Sequence, residues 1–500
     1  MNTIRDGVIL SVDQGTGSTK GLALDSSGRI LATASVPLGL SHPQAGWVEQ
    51  DAEHIARSVQ SVLGSLRSQI DRPVAGVGLS TQRESAVVWD TATGRPLSPV
   101  LGWQDRRTAP AAERLKASMI GQEIRDISGL PVDPMFSALK FAWILDRIDP
   151  DRRRANAGEI TLGTVDAWLI HRLTGGRSIE RGNASRTQLL DHRSGEWSEI
   201  LLDAFGVPLA ALPTVVDSDA TSGPLRALDL GGAAVLGVFG DSHAALFGHG
   251  VREEGSVKVT YGTGSSVMGL GSRSIVSGLT DTIAWSRAGR IAHAFEGNIL
   301  STGGTTMWLA ELLGTDAAEI FRLAENASPA TVDLVPAFAG LGAPWWDENA
   351  IGIISGLTLG TDRAQLARAA VESIALQIED ILSAADTGVD TRIERVHVDG
   401  GPAGNDSVMQ LQADISGRTI VRPKRTSLSA LGAAWLAGQT AGIWPDGVAP
   451  WGTAADFFEP ESLFAERTER RSRWRAAVDR ARLRPTDRPD FTYDTLKEIP

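Results

Sequence analysis

The sequence predicts an α/β protein made of two related halves. Three observations carry this. An apolar strand pattern that ends on an acid, Val8-Ile9-Leu10-Ser11-Val12-Asp13, runs into the polar, Gly-rich turn Gln14-Gly15-Thr16-Gly17-Ser18. The same order returns about half a chain later, where Val257-Lys258-Val259-Thr260 leads into Tyr261-Gly262-Thr263-Gly264-Ser265. Finally, the chain has 500 residues, and a single hydrophobic core stops growing near roughly 250–300. A repeated unit in a chain of that length predicts two halves that face each other. With 54 glycines present, chance similarity between two Gly-rich turns is the competing explanation.

The elements follow in order. After the first turn, Lys20 to Asp25 resumes a strand, Ser26-Ser27-Gly28 turns, and Ile30 to Val36 runs back. That is an antiparallel meander with a tight first corner. A Rossmann unit would place a helix directly after the Gly-rich turn. Ala75 to Ser80 is strand-like and leads to Gln82-Arg83-Glu84, and the apolar run Val235 to Phe239 leads to Gly240-Asp241-Ser242-His243. The charged stretch Arg252-Glu253-Glu254-Gly255 marks a domain boundary near residue 252. In the second half, Val267 to Leu270 resumes the strand after the turn. From Leu366, apolar residues at Ala370, Val371, Ile374, Ala375, Ile378, Ile381 and Leu382 form a helical stripe, with Thr361-Asp362 as its start signal. Val396 to Asp399 is a strand entering Gly400-Gly401-Pro402-Ala403-Gly404-Asn405, and a helix follows through Met409 and Leu411. Ala430 to Trp444 reads as a packed helix of small residues, and 462–483 as a terminal helix rich in Arg and Glu. Beyond Pro485 a loosely held tail is expected. The expected domains are 1–252, 253–460, and a C-terminal helix and tail at 461–500.

Composition narrows the function. The formal charge is −12, which argues against a general binder of nucleic acid or anionic membrane. There is no cysteine, which excludes a disulfide framework, a thiolate metal site and a Cys nucleophile. No apolar run approaches the ~20 residues that span a bilayer, and Met1 to Ile9 lacks a signal-peptide pattern. A cytoplasmic location is the expectation. Only six of the 48 basic residues are lysine, an imbalance that fits genome base composition.

Gly-rich turns after strands expose consecutive backbone N–H groups, and such nests bind phosphate oxygens. One turn is explained more cheaply as a hairpin corner. This chain has three, at 13–18, 261–265 and 399–405, with hydroxyls on Thr16, Ser18, Thr19 and Thr263 and a cation at Lys20. Together they suggest a nucleotide held between two lobes. The Walker pattern, G-x-G-x-x-G, H-E-x-x-H and a nucleophile elbow with triad context are all absent. Asp241, at a strand end before small residues, is placed either to accept a proton or to cap the following helix. Arg83 and Glu84 can hydrogen-bond adjacent hydroxyls, or form a surface ion pair. Trp103, in Trp103-Gln104-Asp105-Arg106-Arg107, offers a flat face to a polyol edge, or packs in the core.

These residues, taken together, resemble the FGGY carbohydrate kinases, and among them the glycerol kinases most. The resemblance runs from Val8 to about Trp444. It rests on Asp13-Gln14-Gly15-Thr16, Gly46 to Asp51, Gln82-Arg83-Glu84 through Val88-Trp89-Asp90, and Trp103 to Thr108. It continues through Gly163 to Leu169, Asn183 to Thr187, Gly240-Asp241, Tyr261 to Gly264, Leu341 to Trp346, Asp399-Gly400-Gly401 and Ala430 to Ala434. It implies the two-lobed fold of actin, hexokinase and the chaperone ATPases, ribonuclease H-like in each lobe, with a mixed sheet flanked by helices. It also implies ATP and Mg²⁺ in the cleft and a small polyol or sugar as phosphoryl acceptor. Asp241 would be the general base and Asp13 would lie near the metal. Thr16, Gly17, Ser18 and Lys20, with Gly262, Thr263 and Gly264, would hold phosphates. Gly303, Gly400, Gly401 and Asn405 would line the nucleotide. Arg83, Glu84, Trp103 and Asp241 would hold the acceptor. A homodimer or homotetramer is a family expectation.

The departures concern the acceptor. Met135 stands where glycerol kinases usually carry Tyr, Ser242 where they carry Gln, and Ser266 where they carry Phe. Two large pocket groups have become hydroxyls, which predicts a roomier, more polar site suited to a four- or five-carbon polyol or ketose such as erythritol or xylulose. Met307 replaces a Gln near the nucleotide. The Gly-rich loop tied to sugar-bisphosphate inhibition is not found at Leu225 to Gly232, so that regulation is not expected. An actin-like or chaperone ATPase shares the phosphate turns but leaves Arg83-Glu84, Trp103 and Asp241 without a role. A catalytically silent sensor leaves the intact Asp241 and both turns without one.

Overall fold

The structure is a computed structural model and describes residues 7–483, apart from 227, 273–277, 329–330 and 388. The tail expected beyond Pro485, the start of the Met1–Ile9 segment and position 227 within Leu225–Gly232 lie outside the described residues.

Two sheets repeat one plan. In the first, Val8–Gln14 is central. It pairs antiparallel with Ser18–Leu24, which pairs with Ile30–Pro37. On its other side it runs parallel to Val74–Thr81, and that strand is parallel to Val235–Gly240. In the second sheet Ser256–Tyr261 takes the central place. Ser265–Leu270 and Arg290–Ile299 form its antiparallel arm, and Arg395–Gly400 and Thr419–Pro423 its parallel arm. Thr280–Arg287 and Ala455–Phe458 extend this sheet at its two edges. The repeated turn of the sequence is thus the first corner of a repeated five-strand order.

Local chemistry explains the elements. Val8, Ile9, Leu10 and Val12 are fully buried, as expected of a strand covered on both faces. The helix Ala52–Ser68 starts at Asp51, whose side chain accepts from Glu53 N and His54 N, and its apolar stripe packs on the first sheet. The helix Arg363–Ala385 opens with a capping box between Asp362 and Gln365 and fills the second core.

The small-residue helix, Leu428–Thr440, follows the second half in the chain but lies across the first sheet, where Ser11 Oγ donates to Ala430 O at 2.5 Å. Its alanines and glycines permit this approach. A Cβ on Gly432 would run into Ala244 O of the facing helix Asp241–Gly248, and one on Gly78 into Ala433 O. A shared apolar cluster joins the halves here, with Ile9 and Phe239 from the first sheet, Met268 and Trp285 from the second, and Trp435 from this helix.

Candidate active site

The strand ends of both halves deliver the candidate residues to one cleft. Asp13, near the end of its strand, has Lys20 as its antiparallel partner and Ser80 as its parallel one. Ser80 Oγ donates to Asp13 Oδ1 at 2.8 Å. Asp241 follows Val235–Gly240 as the first residue of the helix Asp241–Gly248. Gly240 occupies the N-cap position, so the capping alternative for Asp241 fails. Its carboxylate accepts from Ser242 N at 2.7 Å and lies 3.4 Å from Arg83 Nε.

Electrostatics set this pair apart. Burial pushes the Asp13 carboxyl up to about 6, and the charge of Asp241 pushes the same way. Asp241 is also raised, first by burial; Arg83 opposes the rise and Glu84 adds to it. Two carboxylates that repel one another across a cleft are hard oxygen donors of the kind Mg²⁺ takes, one or two at a time, with substrate phosphates supplying the rest. The oxygen donor at Asp13 therefore fits Mg²⁺, with Asp13 as the side chain that would hold it.

Arg83 and Glu84 belong to a buried network rather than to a surface ion pair. Arg83 donates to both oxygens of Glu296, at 3.2 and 2.7 Å. Arg186 Nη2 lies 2.9 Å from Glu296 Oε2, and Arg186 Nε donates to Glu84 Oε1 at 2.6 Å. Glu296 carries no exposed surface; the two arginines hold its carboxyl far below the usual carboxylate range, against its burial. Glu84 itself has φ +61, the left-handed region that side chains rarely adopt. Ser137 Oγ and Lys140 Nζ hold it there by donating to Glu84 O at 2.9 and 3.3 Å. Lys140 also donates to Met135 O at 2.5 Å, which ties the Met135 backbone to the same wall.

Ser266 and Ser242 meet this network from the second sheet and the Asp241 helix. Ser266 Oγ donates to Glu296 Oε1 at 3.1 Å. Lys258, almost wholly buried, donates to Thr260 Oγ1 at 3.0 Å and reaches Ser242 Oγ at 3.4 Å. Trp103 is partly exposed, and its Nε1 donates to Thr16 Oγ1 at 3.0 Å. That bond joins the proposed acceptor face to the first Gly-rich turn, where Gly17 and Ser18 also lie. Lys20 is exposed on the strand that follows.

The second turn closes tightly, with Gly262 N donating to Gly264 O at 2.8 Å. Gly303, at the start of the helix Gly303–Leu313, donates to Gly262 O at 3.0 Å. A cleft of about 430 Å³ opens beside them, lined by Gly262, Thr263, Gly303, Met307, Gly401 and Asn405 among others. Gly264 and Gly400 stand behind its lining. Gly400 has φ +95, and a Cβ there would run into Tyr261 O. Asn405 caps the helix Asp406–Ser416 by accepting from Val408 N at 3.0 Å.

Gly262, Thr263, Gly303, Gly401 and Asn405 thus line the nucleotide-side cleft, while Arg83, Glu84, Asp241 and Ser266 belong to or border the buried network. Reading by motif gave no role to Arg186, Glu296, Lys258 or Lys140. Lys258 and Glu296 were visible as charges inside apolar strands, Val257 to Val259 and Phe295 to Ile299. Arg186 sits in Asn183 to Thr187, which carried resemblance without a role.

Comparison with known proteins decides what this cleft belongs to. Residues 8–248 match the model for the N-terminal domain of the FGGY family of carbohydrate kinases, and 257–441 match the model for its C-terminal domain. The chain belongs to the FGGY family. The kinase is 42% identical over 487 residues to glycerol kinase of Alkalilimnicola ehrlichii, which covers 95% of this chain and 98% of that one. It is 40% identical to apulose kinase of Pectobacterium atrosepticum, covering 96% and 99%. Among solved structures, Plasmodium falciparum glycerol kinase with ADP superposes with a TM-score of 0.90 at 28% identity, covering 96% and 99%. A ligand-bound xylulose kinase from Lactobacillus acidophilus shares the fold, with a TM-score of 0.86 at 22% identity and coverage of 95% and 98%. The two-lobed actin-like fold and the carbohydrate kinase assignment stand as expected. This kinase is a phosphotransferase that uses ATP to phosphorylate a polyol or sugar. No helix among the described residues is long and apolar enough to cross a membrane.

Proposed function

We propose that this kinase transfers the γ-phosphoryl group of ATP to a hydroxyl of a four- or five-carbon polyol or ketose, with Asp241 as general base. As the acceptor oxygen bonds to the γ-phosphorus, the bond from that phosphorus to the β–γ bridging oxygen breaks and ADP leaves. The hydroxyl proton passes to Asp241. Burial raises the Asp241 carboxyl, and a more basic carboxylate is a better proton acceptor. Arg83, locked by Glu296, and Glu84, locked by Arg186, hold two acceptor hydroxyls by donating to one and accepting from the other. The turns at Thr16–Ser18 and Gly262–Gly264 cradle the phosphates through backbone N–H groups. Mg²⁺, held by Asp13, would neutralise phosphate charge. Closure of the halves excludes water, which otherwise competes as acceptor.

The observation that carries the acceptor assignment is the pair Ser242 and Ser266. Both hydroxyls sit in the wall shared with Glu296 and Lys258, where a glutamine and a phenylalanine are usual in glycerol kinases. A polar wall rewards extra acceptor hydroxyls and leaves its own groups unpaired with a shorter acceptor. A relative named as an apulose kinase is as similar as the glycerol kinases are. Steady-state kinetics on C3 to C5 polyols and ketoses tests this. A C4 or C5 compound should give the highest kcat/KM, and a maximum at glycerol contradicts the assignment.

A further inference from the structure

A large cavity lies away from the nucleotide-side cleft, at the seam between the two halves. It has a volume of about 860 Å³ and is bounded by the end of the Asp241 helix, the strand Arg395–Gly400, the helix Leu428–Thr440 and the loop at 447–454. That volume falls within the range of small-molecule sites.

Its walls carry two kinds of chemistry. The first is uncompensated positive charge. Arg395 and Arg425 line the cavity, and neither pairs with a carboxylate among the described residues. Lys424 also lines it but is engaged by Asp456. His397 faces the same space. Burial, and then the nearby His249 and Arg395, hold it down to about 3. The second is an aromatic face at Trp451, which packs edge-on against the buried Trp435 at 5.9 Å between centroids. Aromatic faces suit a C–H-rich sugar edge or a flat ring, and free guanidiniums suit a phosphate.

Two buried ring nitrogens in this wall have no hydrogen-bond partner, His249 Nδ1 and Trp435 Nε1. Unpaired buried polar atoms are costly. His249 Nε2 donates to Asp399 Oδ2 at 2.8 Å, so in the neutral ring Nδ1 is left to accept from a hydroxyl. Trp435 Nε1–H can only donate, to an oxygen. A hydroxylated organic phosphate answers the free guanidiniums, the aromatic face and both nitrogens.

The cavity also touches the catalytic machinery. Asp399 opens the third Gly-rich turn, and the charge of Lys258, which reaches Ser242 Oγ, helps hold the Asp399 carboxyl low. His249 is thereby linked, through the Asp399 carboxylate and the charge of Lys258, to Ser242.

We infer that this seam cavity is a second ligand site, which binds a phosphate monoester of a sugar or nucleoside and is separate from the catalytic cleft. The double variant Arg395→Glu/Arg425→Glu removes its free charge without touching the cleft. Calorimetric titration of the full chain with ribose 5-phosphate, AMP and inorganic phosphate provides the test, with the cleft filled by acceptor and a non-hydrolysable ATP analogue. At least one organic phosphate should bind, and the double variant should weaken it tenfold or more while ATP turnover without the ligand stays within twofold of the parent. Preference for ribose 5-phosphate over AMP would assign a sugar phosphate, and the reverse order a nucleotide. Binding of inorganic phosphate alone, binding unchanged by the double variant, or no binding at millimolar concentration would overturn the inference. Because catalysis is not the readout, these outcomes stand apart from the acceptor screen.

Discussion

Glu296 is the residue whose loss should be felt most widely. It lies on the strand Arg290–Ile299 of the second sheet, while Arg83 and Arg186 come from the first half. Its carboxylate accepts both Arg83 nitrogens, faces Arg186 and takes the Ser266 hydroxyl. Glu296→Gln keeps the shape and removes the charge. Two buried guanidiniums then share Glu84 and the more distant Asp241. Breaking a buried ion pair by neutralising one partner costs about 3–5 kcal/mol, because the other charge remains buried. Urea denaturation should show a loss of that size. Arg83 also loses the fork that fixes its plane, so acceptor KM should rise roughly tenfold to a hundredfold, or about 1.4–2.7 kcal/mol. ATP KM should change little, since the nucleotide cleft shares no side chain with the network. A stability loss below about 1 kcal/mol, or equal changes in both KM values, would refute the placement of Glu296 at the centre of the acceptor wall.

Three further outcomes follow from single contacts. Burial pushes the Lys140 ammonium down to about 7, below its ordinary value. Between pH 7 and about 10.5 the unfolded chain therefore holds the extra proton, and stability should rise with pH by up to about 1.4 kcal/mol per unit from this group. Lys140→Met should abolish that component, and urea midpoints at pH 7.5 and 9 measure it. Gly400→Ala places a Cβ against Tyr261 O at φ +95 and should raise ATP KM at least tenfold with acceptor binding kept, as kinetics and acceptor titration would show. Trp103→Phe keeps the ring face but removes the bond to Thr16 Oγ1, worth about 0.5–1.5 kcal/mol, so kcat/KM for the acceptor should fall up to about tenfold.

Much of the plan was written locally. The repeated strand and turn at Val8–Ser18 and Val257–Ser265 announced two halves, because a buried strand and a Gly-rich corner are both short-range signals. Asp13 and Asp241 were legible as acids at strand ends. The partners that fix them were not, since Arg186 and Glu296 lie 110 residues apart and meet only when the two sheets pack. The helix Leu428–Thr440 illustrates the same limit. Its small residues marked it as a packed helix, but nothing local says that its partner is the first sheet, whose strands all lie far upstream, between Val8 and Gly240. The N-cap reading of Asp241 also needed three dimensions to decide, because only the backbone shows that Gly240 takes the cap and Asp241 the first helical position.

The most direct test of the mechanism is Asp241→Asn, measured for both turnover and acceptor binding. The amide keeps the shape of the carboxylate but cannot take the acceptor's proton. General base catalysis contributes roughly 10²–10⁴-fold, so kcat should fall within that range while calorimetry shows acceptor affinity within a few-fold of the parent. Turnover near the parent value would contradict the assignment of Asp241 as the base.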